Sequence, residues 1–207
     1  MNTTKLLAFL IALMVVTLLF FRADVQNVKT DRLDSDATVL AFGDSLTYGY
    51  GAESKAYPLQ LQTLINRKVI NAGVSGEVST TGLKRLPSLL KTYHPSLVIL
   101  CHGGNDILRR SSKERLKVNL VAMIEMIHQS GAQVLLVGVP GFGLLSISTV
   151  PLYEEVALEK NVLYEGAVLE KIENDTALKS DQIHPNAEGY RLMAETFAVL
   201  LREQGVL

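Results

Sequence analysis

The sequence predicts an α/β protein, a three-layer α/β/α sandwich with a central parallel sheet of about five strands. Three observations support this fold class. Short apolar runs rich in β-branched residues recur along the chain, helical patterns lie between them, and 207 residues favour one domain over two. Such alternation of strands and helices is typical of a parallel sheet with helices on both faces.

Four strands are predicted from continuous apolar runs, and a short fifth follows them. The runs are TVLAF at 38–42, VINAG at 69–73, SLVILC at 96–101 and VLLVGV at 134–139, with the fifth strand at 161–164. Runs of this length without polar alternation are typical of strands that are covered on both faces.

Two amphipathic helices are predicted from apolar side chains at a spacing of three and four residues. The first stripe consists of Leu116, Leu120, Met123, Ile124 and Ile127, and the second of Tyr190, Met193, Phe197, Leu200 and Leu201. Each helix would bury this stripe against the sheet.

The amino terminus carries an uncharged apolar run at residues 6–21. Its length lies between a secretory h-region, about 7–15 residues, and a spanning helix, about 17–25. Because no suitable pair of small residues follows closely, residues 1–21 are expected to be an uncleaved signal-anchor, the alternative being a cleaved signal peptide. A polar tether would follow at 22–35 and the folded domain at 36–207. The expected localisation is membrane-anchored with the domain outside the cytoplasm, or secreted or periplasmic after cleavage.

Charge and cysteine content exclude several classes of partner. Twenty basic and 21 acidic residues give a net charge of −1 without a basic block, which argues against nucleic acid. Cys101 is the single cysteine, so neither an intrachain disulfide nor a cysteine-rich zinc site can form. Nothing in the sequence requires a protein partner.

The loops after the predicted strands contain a candidate nucleophile and base, because ligands of parallel sheets bind at the carboxyl ends of the strands. Ser45 follows the first strand directly and precedes a helix, although a serine there is also a common helix cap. His184 has Asp181 three residues before it and Pro185 behind it, so the carboxylate can orient the imidazole. Together they predict a serine nucleophile with a histidine base.

Two further positions can donate hydrogen bonds to an oxyanion. Gly76 can present its backbone amide closely because it has no Cβ, and Asn105 offers a side-chain amide. His102 also follows a predicted strand and is a candidate for lining the site without a role in the triad. His94 and His128 are expected to be structural.

Four blocks of the sequence together resemble the SGNH (GDSL) hydrolases. They are Gly43-Asp44-Ser45-Leu46, Gly76, Gly104-Asn105-Asp106 and Asp181-Gln182-Ile183-His184-Pro185. The resemblance implies a flavodoxin-like fold, Ser45 as nucleophile, Asp181 and His184 as the rest of the triad, and an oxyanion hole of Ser45, Gly76 and Asn105. It also implies no metal and no cofactor.

The best match within the family is its bacterial esterase, thioesterase and lysophospholipase branch. The expected activity is hydrolysis of acyl esters or thioesters of lipid origin, such as lysophospholipid or acyl thioester, through an acyl-enzyme on Ser45. The sequence departs from that branch at GVPGFGLL, residues 138–145, where a polar and aromatic pair usually follows the proline. Two alternatives remain: a carbohydrate-ester deacetylase with the same triad, and a non-catalytic phosphate- or nucleotide-binding module.

Overall fold

The computed structural model of the protein describes residues 28–142 and 147–207. Its strands, in chain order, are β1 (Thr38–Gly43), β2 (Lys68–Gly73), β3 (Leu97–Cys101), β4 (Gln133–Val137), β5 (Pro140–Phe142), β6 (Ile147–Thr149) and β7 (Leu163–Glu165). Five of them form one parallel sheet in the order β2-β1-β3-β4-β7. The predicted five-stranded parallel sheet is confirmed.

The helices pack against one another in two groups. They are α1 (Ser45–Tyr48), α2 (Tyr57–Ile65), α3 (Ser79–Tyr93), α4 (Gly104–Leu108), α5 (Lys113–Gln129), α6 (Leu152–Lys160), α7 (Val168–Glu173) and α8 (Ala187–Glu203). In one group α2 and α7 contact α8, and in the other α5 contacts both α3 and α6. Both predicted amphipathic stripes lie in these helices, on α5 and α8.

The order of the strands creates a crevice at the carboxyl end of the sheet. The chain leaves β1 toward β2 at one edge, whereas it leaves β3 toward β4 at the other. The loops that follow β1 and β3 therefore diverge, and ligands of open parallel sheets bind at such a point. Every residue of β3 is buried, so the floor of the crevice is rigid.

The predicted fourth strand, 134–139, differs from the structure. β4 ends at Val137, and Pro140 begins a short antiparallel ribbon in which β5 pairs with β6. Pro140 has no amide hydrogen to continue a central strand, which explains why the apolar run leaves the sheet. This ribbon has no counterpart in the sequence-based prediction.

Part of the expected tether packs on the domain. Leu33 is buried, and its amide donates a hydrogen bond to the carbonyl of Val206 at 2.8 Å. Thr30 Oγ1 donates to the carbonyl of Gln204 at 2.6 Å, and Asp31 exchanges two hydrogen bonds with the side chain of Gln133. The packed body thus begins before the expected boundary at residue 36, because one apolar side chain in a polar segment joins the core.

The expected membrane-anchored localisation is contradicted. Among the residues described, no helix is long and apolar enough to cross a bilayer. The longest of them, α5 and α8, have 17 residues each and carry charged side chains, whereas a spanning helix needs about 20 mostly apolar residues. The segment 6–21, on which that prediction depended, lies outside the described residues.

Truncating Leu33 tests whether residues 28–34 belong to the folded body. We expect Leu33→Ala to lower the free energy of unfolding by about 2–5 kcal/mol, because it removes a buried side chain and leaves a cavity. The matched control is Leu59→Ala at a position that is 48% exposed, where the change should stay within about 0.5 kcal/mol. Urea unfolding of both variants measures the difference, and equal stabilities would show that the segment contributes nothing.

Candidate active site

Ser45 is the first residue of α1, and only Asp44 separates it from the last residue of β1, Gly43, where the chain turns. Gly43 permits this turn, because a Cβ there would lie 2.0 Å from the carbonyl oxygen of Cys101 at the end of β3. The helix cap is Asp44, whose Oδ1 accepts the amide of Leu46 at 3.1 Å. The alternative interpretation of Ser45 as the cap is therefore wrong, and its hydroxyl is available for another partner.

That partner is His184, which lies 139 positions further along the chain. The Nε2 atom of His184 is 3.1 Å from Ser45 Oγ, and its Nδ1 atom is 2.7 Å from Asp181 Oδ2. An ionised carboxylate can only accept, so Nδ1 carries the imidazole hydrogen and Nε2 is free to accept the serine proton. The three predicted residues form one continuous chain of hydrogen bonds.

Asp181 is held by the backbone of its own turn. Its Oδ1 accepts the amides of Ile183 and His184, both at 2.8 Å. Partial burial acts to raise the pKa of Asp181, but these amides and the imidazole of His184 outweigh it and hold the pKa below its ordinary value. The carboxylate is therefore ionised at neutral pH, as the orientation of the histidine requires.

An aromatic residue that the sequence analysis did not single out contacts the histidine. The ring of Tyr50 lies 4.4 Å from the ring of His184, centre to centre, with 38° between their planes. The backbone of Tyr50 is fixed in turn by the hydroxyl of Tyr190, which donates to its carbonyl at 3.0 Å. Tyr50 thus limits the orientations of the imidazole from the side of the serine loop.

Glu77 connects Gly76 to Asn105, because it follows Gly76 in the chain and contacts Asn105 in space. The Nδ2 atom of Asn105 donates to the carbonyl of Glu77 at 3.1 Å, while Arg109 donates to the carbonyl of Gly76 at 3.0 Å. Gly76 has a φ of +78°, which favours glycine. The amides of Ser45 and Gly76 donate to no other residue that the structure describes. Both amides are therefore available to a substrate.

Ser45, His184 and Asn105 line a common cleft, whereas Gly76 and Asp181 are not among its lining residues. The wall of the cleft is mostly apolar. Its other lining residues are Asp44, Leu46, Gly104, Leu108, Val139, Pro140, Leu169, Glu173 and Ile183. Val139 and Pro140 belong to the loop in which the sequence departs from its family branch, so that departure affects the wall of the cleft.

His102 does not line this cleft, contrary to its candidacy in the sequence. Its side chain is fully buried behind the site, where Nδ1 accepts the amide of Gly103 at 2.9 Å. The hydrogen therefore sits on Nε2 and points to Glu77 Oε2 at 3.2 Å. Arg85 pairs with the same carboxylate at 2.6 Å. Sequence reasoning missed this network because its members come from three separate segments.

Asp106, the residue after Asn105, stabilises the start of α3. Its two oxygens accept the amide and the hydroxyl of Ser79, at 2.8 and 2.7 Å, at the start of α3. Asn119 on α5 completes the network by donating to the Ser79 hydroxyl at 2.8 Å. Asp106 thereby anchors the amino terminus of α3 beside the loop of Gly76 and Glu77, where a carboxylate also suits the helix dipole.

Four Asp and His side chains in the loops after the strands, residue types that can ligate metals, have partners within the protein. Asp44 caps α1, Asp106 binds Ser79, His102 faces Glu77 and His184 faces Ser45. Within residues 28–142 and 147–207, no group of three or more His, Cys, Asp or Glu side chains is arranged to hold a metal ion.

Comparison with known proteins identifies relatives of this chain. Residues 41–192 match the GDSL-like lipase/acylhydrolase family. Esterase TesA of Pseudomonas aeruginosa is 33% identical over 159 residues, which cover 72% of this chain and 79% of the relative. Thioesterase 1/protease 1/lysophospholipase L1 of Escherichia coli K12 is 29% identical over 210 residues, covering 98% and 96%. The crystal structure of TesA superposes with a TM-score of 0.72 at 28% identity, covering 81% of this chain and 99% of that one.

The acid stability of the protein should depend on Glu77. Burial acts to raise the pKa of Glu77, but the hydrogen bonds from His102 and Arg85 lower it to about 2. A lowered pKa in the folded state stabilises the protein above the ordinary value of 4.5, and this contribution disappears as the pH falls toward about 2. Glu77→Gln removes the titration, so we expect its stability deficit relative to the wild type to shrink below pH 4.5.

Thermal unfolding of both proteins in steps from neutral to acidic pH measures this deficit. The control is Glu53→Gln, since Glu53 is exposed and its variant should match the wild type at every pH. A deficit of Glu77→Gln that stays constant on acidification would contradict the assignment.

Proposed function

This chain belongs to the GDSL-like lipase/acylhydrolase family, and on that premise we propose that it hydrolyses carboxylic esters or thioesters through an acyl-enzyme on Ser45. The family makes the protein a hydrolase. The single observation that carries the finer proposal is the hydrogen-bond chain from Asp181 through His184 to Ser45, with distances of 2.7 and 3.1 Å. A serine becomes nucleophilic only beside a base, and here the base is itself oriented by a carboxylate.

In the acylation step, Ser45 Oγ attacks the carbonyl carbon of the substrate while its proton moves to His184 Nε2. The imidazolium that forms is stabilised by ionised Asp181, which keeps its hydrogen bond to Nδ1. The negative charge appears on the carbonyl oxygen. When this tetrahedral intermediate collapses, the bond to the leaving group breaks and His184 returns the proton to the departing alcohol or thiol.

Deacylation repeats these steps with water in place of serine. A water molecule attacks the acyl carbon and loses its proton to His184 Nε2. Collapse of the second intermediate breaks the bond to Ser45 Oγ, which takes the proton back. The products are a carboxylic acid and the free enzyme, so no external oxidant, reductant or cofactor is required.

The oxyanion is stabilised by the amides of Ser45 and Gly76 and by the side chain of Asn105. Support comes from the two backbone amides, which have no acceptor among the described residues, and from Asn105, which lines the cleft beside Ser45. Donors fixed before the reaction stabilise the developing charge without reorganisation at the moment of attack.

The proposed substrates carry an acyl group of lipid origin, such as a lysophospholipid or an acyl thioester. This proposal is supported by the apolar wall of the cleft and by the relatives, one named an esterase and another a thioesterase and lysophospholipase. A phosphate- or nucleotide-binding module would leave the contact between Ser45 and His184 without a role.

Removing the serine hydroxyl tests the proposed nucleophile. We expect Ser45→Ala to lose nearly all turnover of a chromogenic short-chain ester and all labelling by a fluorophosphonate probe. Both losses should occur without a loss of folding, because the hydroxyl caps no helix and its partner among the described residues is His184. Circular dichroism provides the folding control. Wild-type rates in a folded variant would refute the acyl-enzyme.

Removing the amide of Asn105 tests the proposed oxyanion hole. Loss of one such donor typically lowers kcat by about 10²–10³-fold, and we expect this for Asn105→Ala. Since the interaction strengthens only in the transition state, kcat and kcat/KM should fall together while KM changes little. Kinetics and the thermal midpoint are measured on the same preparation. A lower midpoint with normal kcat per folded molecule would make Asn105 a structural residue.

A further inference from the structure

We propose that Arg85, acting through the carboxylate of Glu77, is a positioning residue for the oxyanion hole. The inference rests on the proposed function, because it assigns Arg85 a task toward Gly76 and Asn105. Arg85 lies on α3, it lines no part of the cleft, and its side chain is 23% exposed. Its influence on the reaction must therefore pass through the groups that it holds.

The first of these groups is Glu77, the neighbour of Gly76 in the chain. The guanidinium donates to the carboxylate of Glu77 from Nη2 at 2.6 Å and from Nε, whose single hydrogen is shared between the two carboxylate oxygens at 3.0 and 3.1 Å. Buried His102 contacts the same carboxylate at 3.2 Å. With its side chain only 3% exposed, Glu77 is fixed from two directions.

Fixing Glu77 also fixes two donors of the proposed oxyanion hole, the amide of Gly76 and the side chain of Asn105. Gly76 precedes Glu77 directly in the chain, so the position of Glu77 restrains the backbone that carries the Gly76 amide. The carbonyl of Glu77 is the acceptor for Asn105 Nδ2 at 3.1 Å. A shift of Glu77 would therefore displace the Gly76 amide and at the same time remove the nearer of the two acceptors that hold Asn105 Nδ2, the other being Asp44 Oδ2 at 3.4 Å.

Arg85 further connects this loop to the strand ends that carry the nucleophile. The second hydrogen of Nη2 is shared between the carbonyls of Gly43 at 3.3 Å and Ala72 at 3.0 Å, near the ends of β1 and β2. Its guanidinium carbon lies 4.4 Å from the ring centre of Phe42, which fixes its plane. One guanidinium thus sets the distance between the turn before Ser45 and the loop of Gly76.

The position of a donor matters because transition-state stabilisation depends steeply on geometry. A misplacement of about 1 Å by a residue remote from the chemistry can cost about 10²-fold in rate. Lysine cannot replace arginine here, since a single ammonium group does not reproduce the planar fork that contacts a carboxylate and two carbonyls together.

The test compares Arg85→Met and Arg85→Lys with a control variant that loses a similar ion pair elsewhere. Lys160 pairs with Glu125 at 2.6 Å, the distance of the pair between Arg85 and Glu77, and its side chain is 21% exposed against 23%. We expect both Arg85 variants to lower kcat and kcat/KM for a slow ester by about 10–100-fold with little change in KM. Lys160→Met should keep wild-type kinetics.

A double-mutant cycle with Asn105→Ala shows whether Arg85 acts through the oxyanion hole. If it does, Arg85→Met should cost much less in the Asn105→Ala background than in the wild type, because one of the donors that it positions is already absent. Rates are expressed per folded molecule, and Arg85→Lys serves for the cycle if the methionine variant does not fold.

Two results would overturn the inference. One is a lower thermal midpoint with normal kcat in the Arg85 variants, which indicates a purely structural ion pair. The other is a double variant in which Arg85→Met lowers kcat by the same factor as it does in the wild type, which shows that Arg85 and Asn105 act independently. The Ser45→Ala variant separates the two proposals. If Ser45→Ala is inactive while Arg85→Met is fully active, the positioning role of Arg85 is refuted and the proposed acyl-enzyme is not.

Discussion

The close approach of β1 and β3 at their carboxyl ends is the constraint on which the site depends. Gly43 ends β1 beside Cys101, where a Cβ would lie 2.0 Å from the carbonyl oxygen of Cys101 and 2.3 Å from Thr47 Oγ1. Without that Cβ, the chain turns directly into α1 and presents the Ser45 hydroxyl above the crevice between the strands. The other residues of the proposed site are arranged around this fixed point, because β3 is buried along its whole length and cannot shift.

Buried polar groups around this point act as supports. Asp44 is 2% exposed, and burial raises its pKa, although the nearby His102 and the amides of Leu46 and Gly104 act in the opposite direction. Isolated burial of a carboxylate would be costly, so each of these groups is paired with several donors. In the described residues, no buried side-chain nitrogen or oxygen lacks a hydrogen-bond partner. A satisfied polar network of this kind specifies one arrangement of the loops, which is what an oxyanion hole requires.

The turn that carries Asp181 and His184 is rigid for a local reason. Asp181 accepts two amides of its own turn and the imidazole of His184, and the carbonyl of His184 accepts the amide of Ser180 at 2.8 Å. Lys179, just before this turn, pairs with Glu173 in the wall of the cleft at 2.7 Å. The turn is thereby tied to α7, so the residues that line the cleft and those proposed to move protons belong to one packed unit.

The sequence by itself determined the features that are encoded locally. Continuous apolar runs indicated the parallel sheet, helical spacing indicated α5 and α8, and Asp181 three residues before His184 indicated an oriented base, because each pattern depends only on neighbours along the chain. Tertiary structure decided the rest: the antiparallel ribbon after Val137, the packing of Leu33 on the domain, the contact of Tyr50 with His184, and the network of Glu77, Arg85 and His102. The ribbon is a local hairpin that forms where Pro140 leaves the sheet, whereas the other contacts join separate segments and exist only after the sheet has brought the loops together.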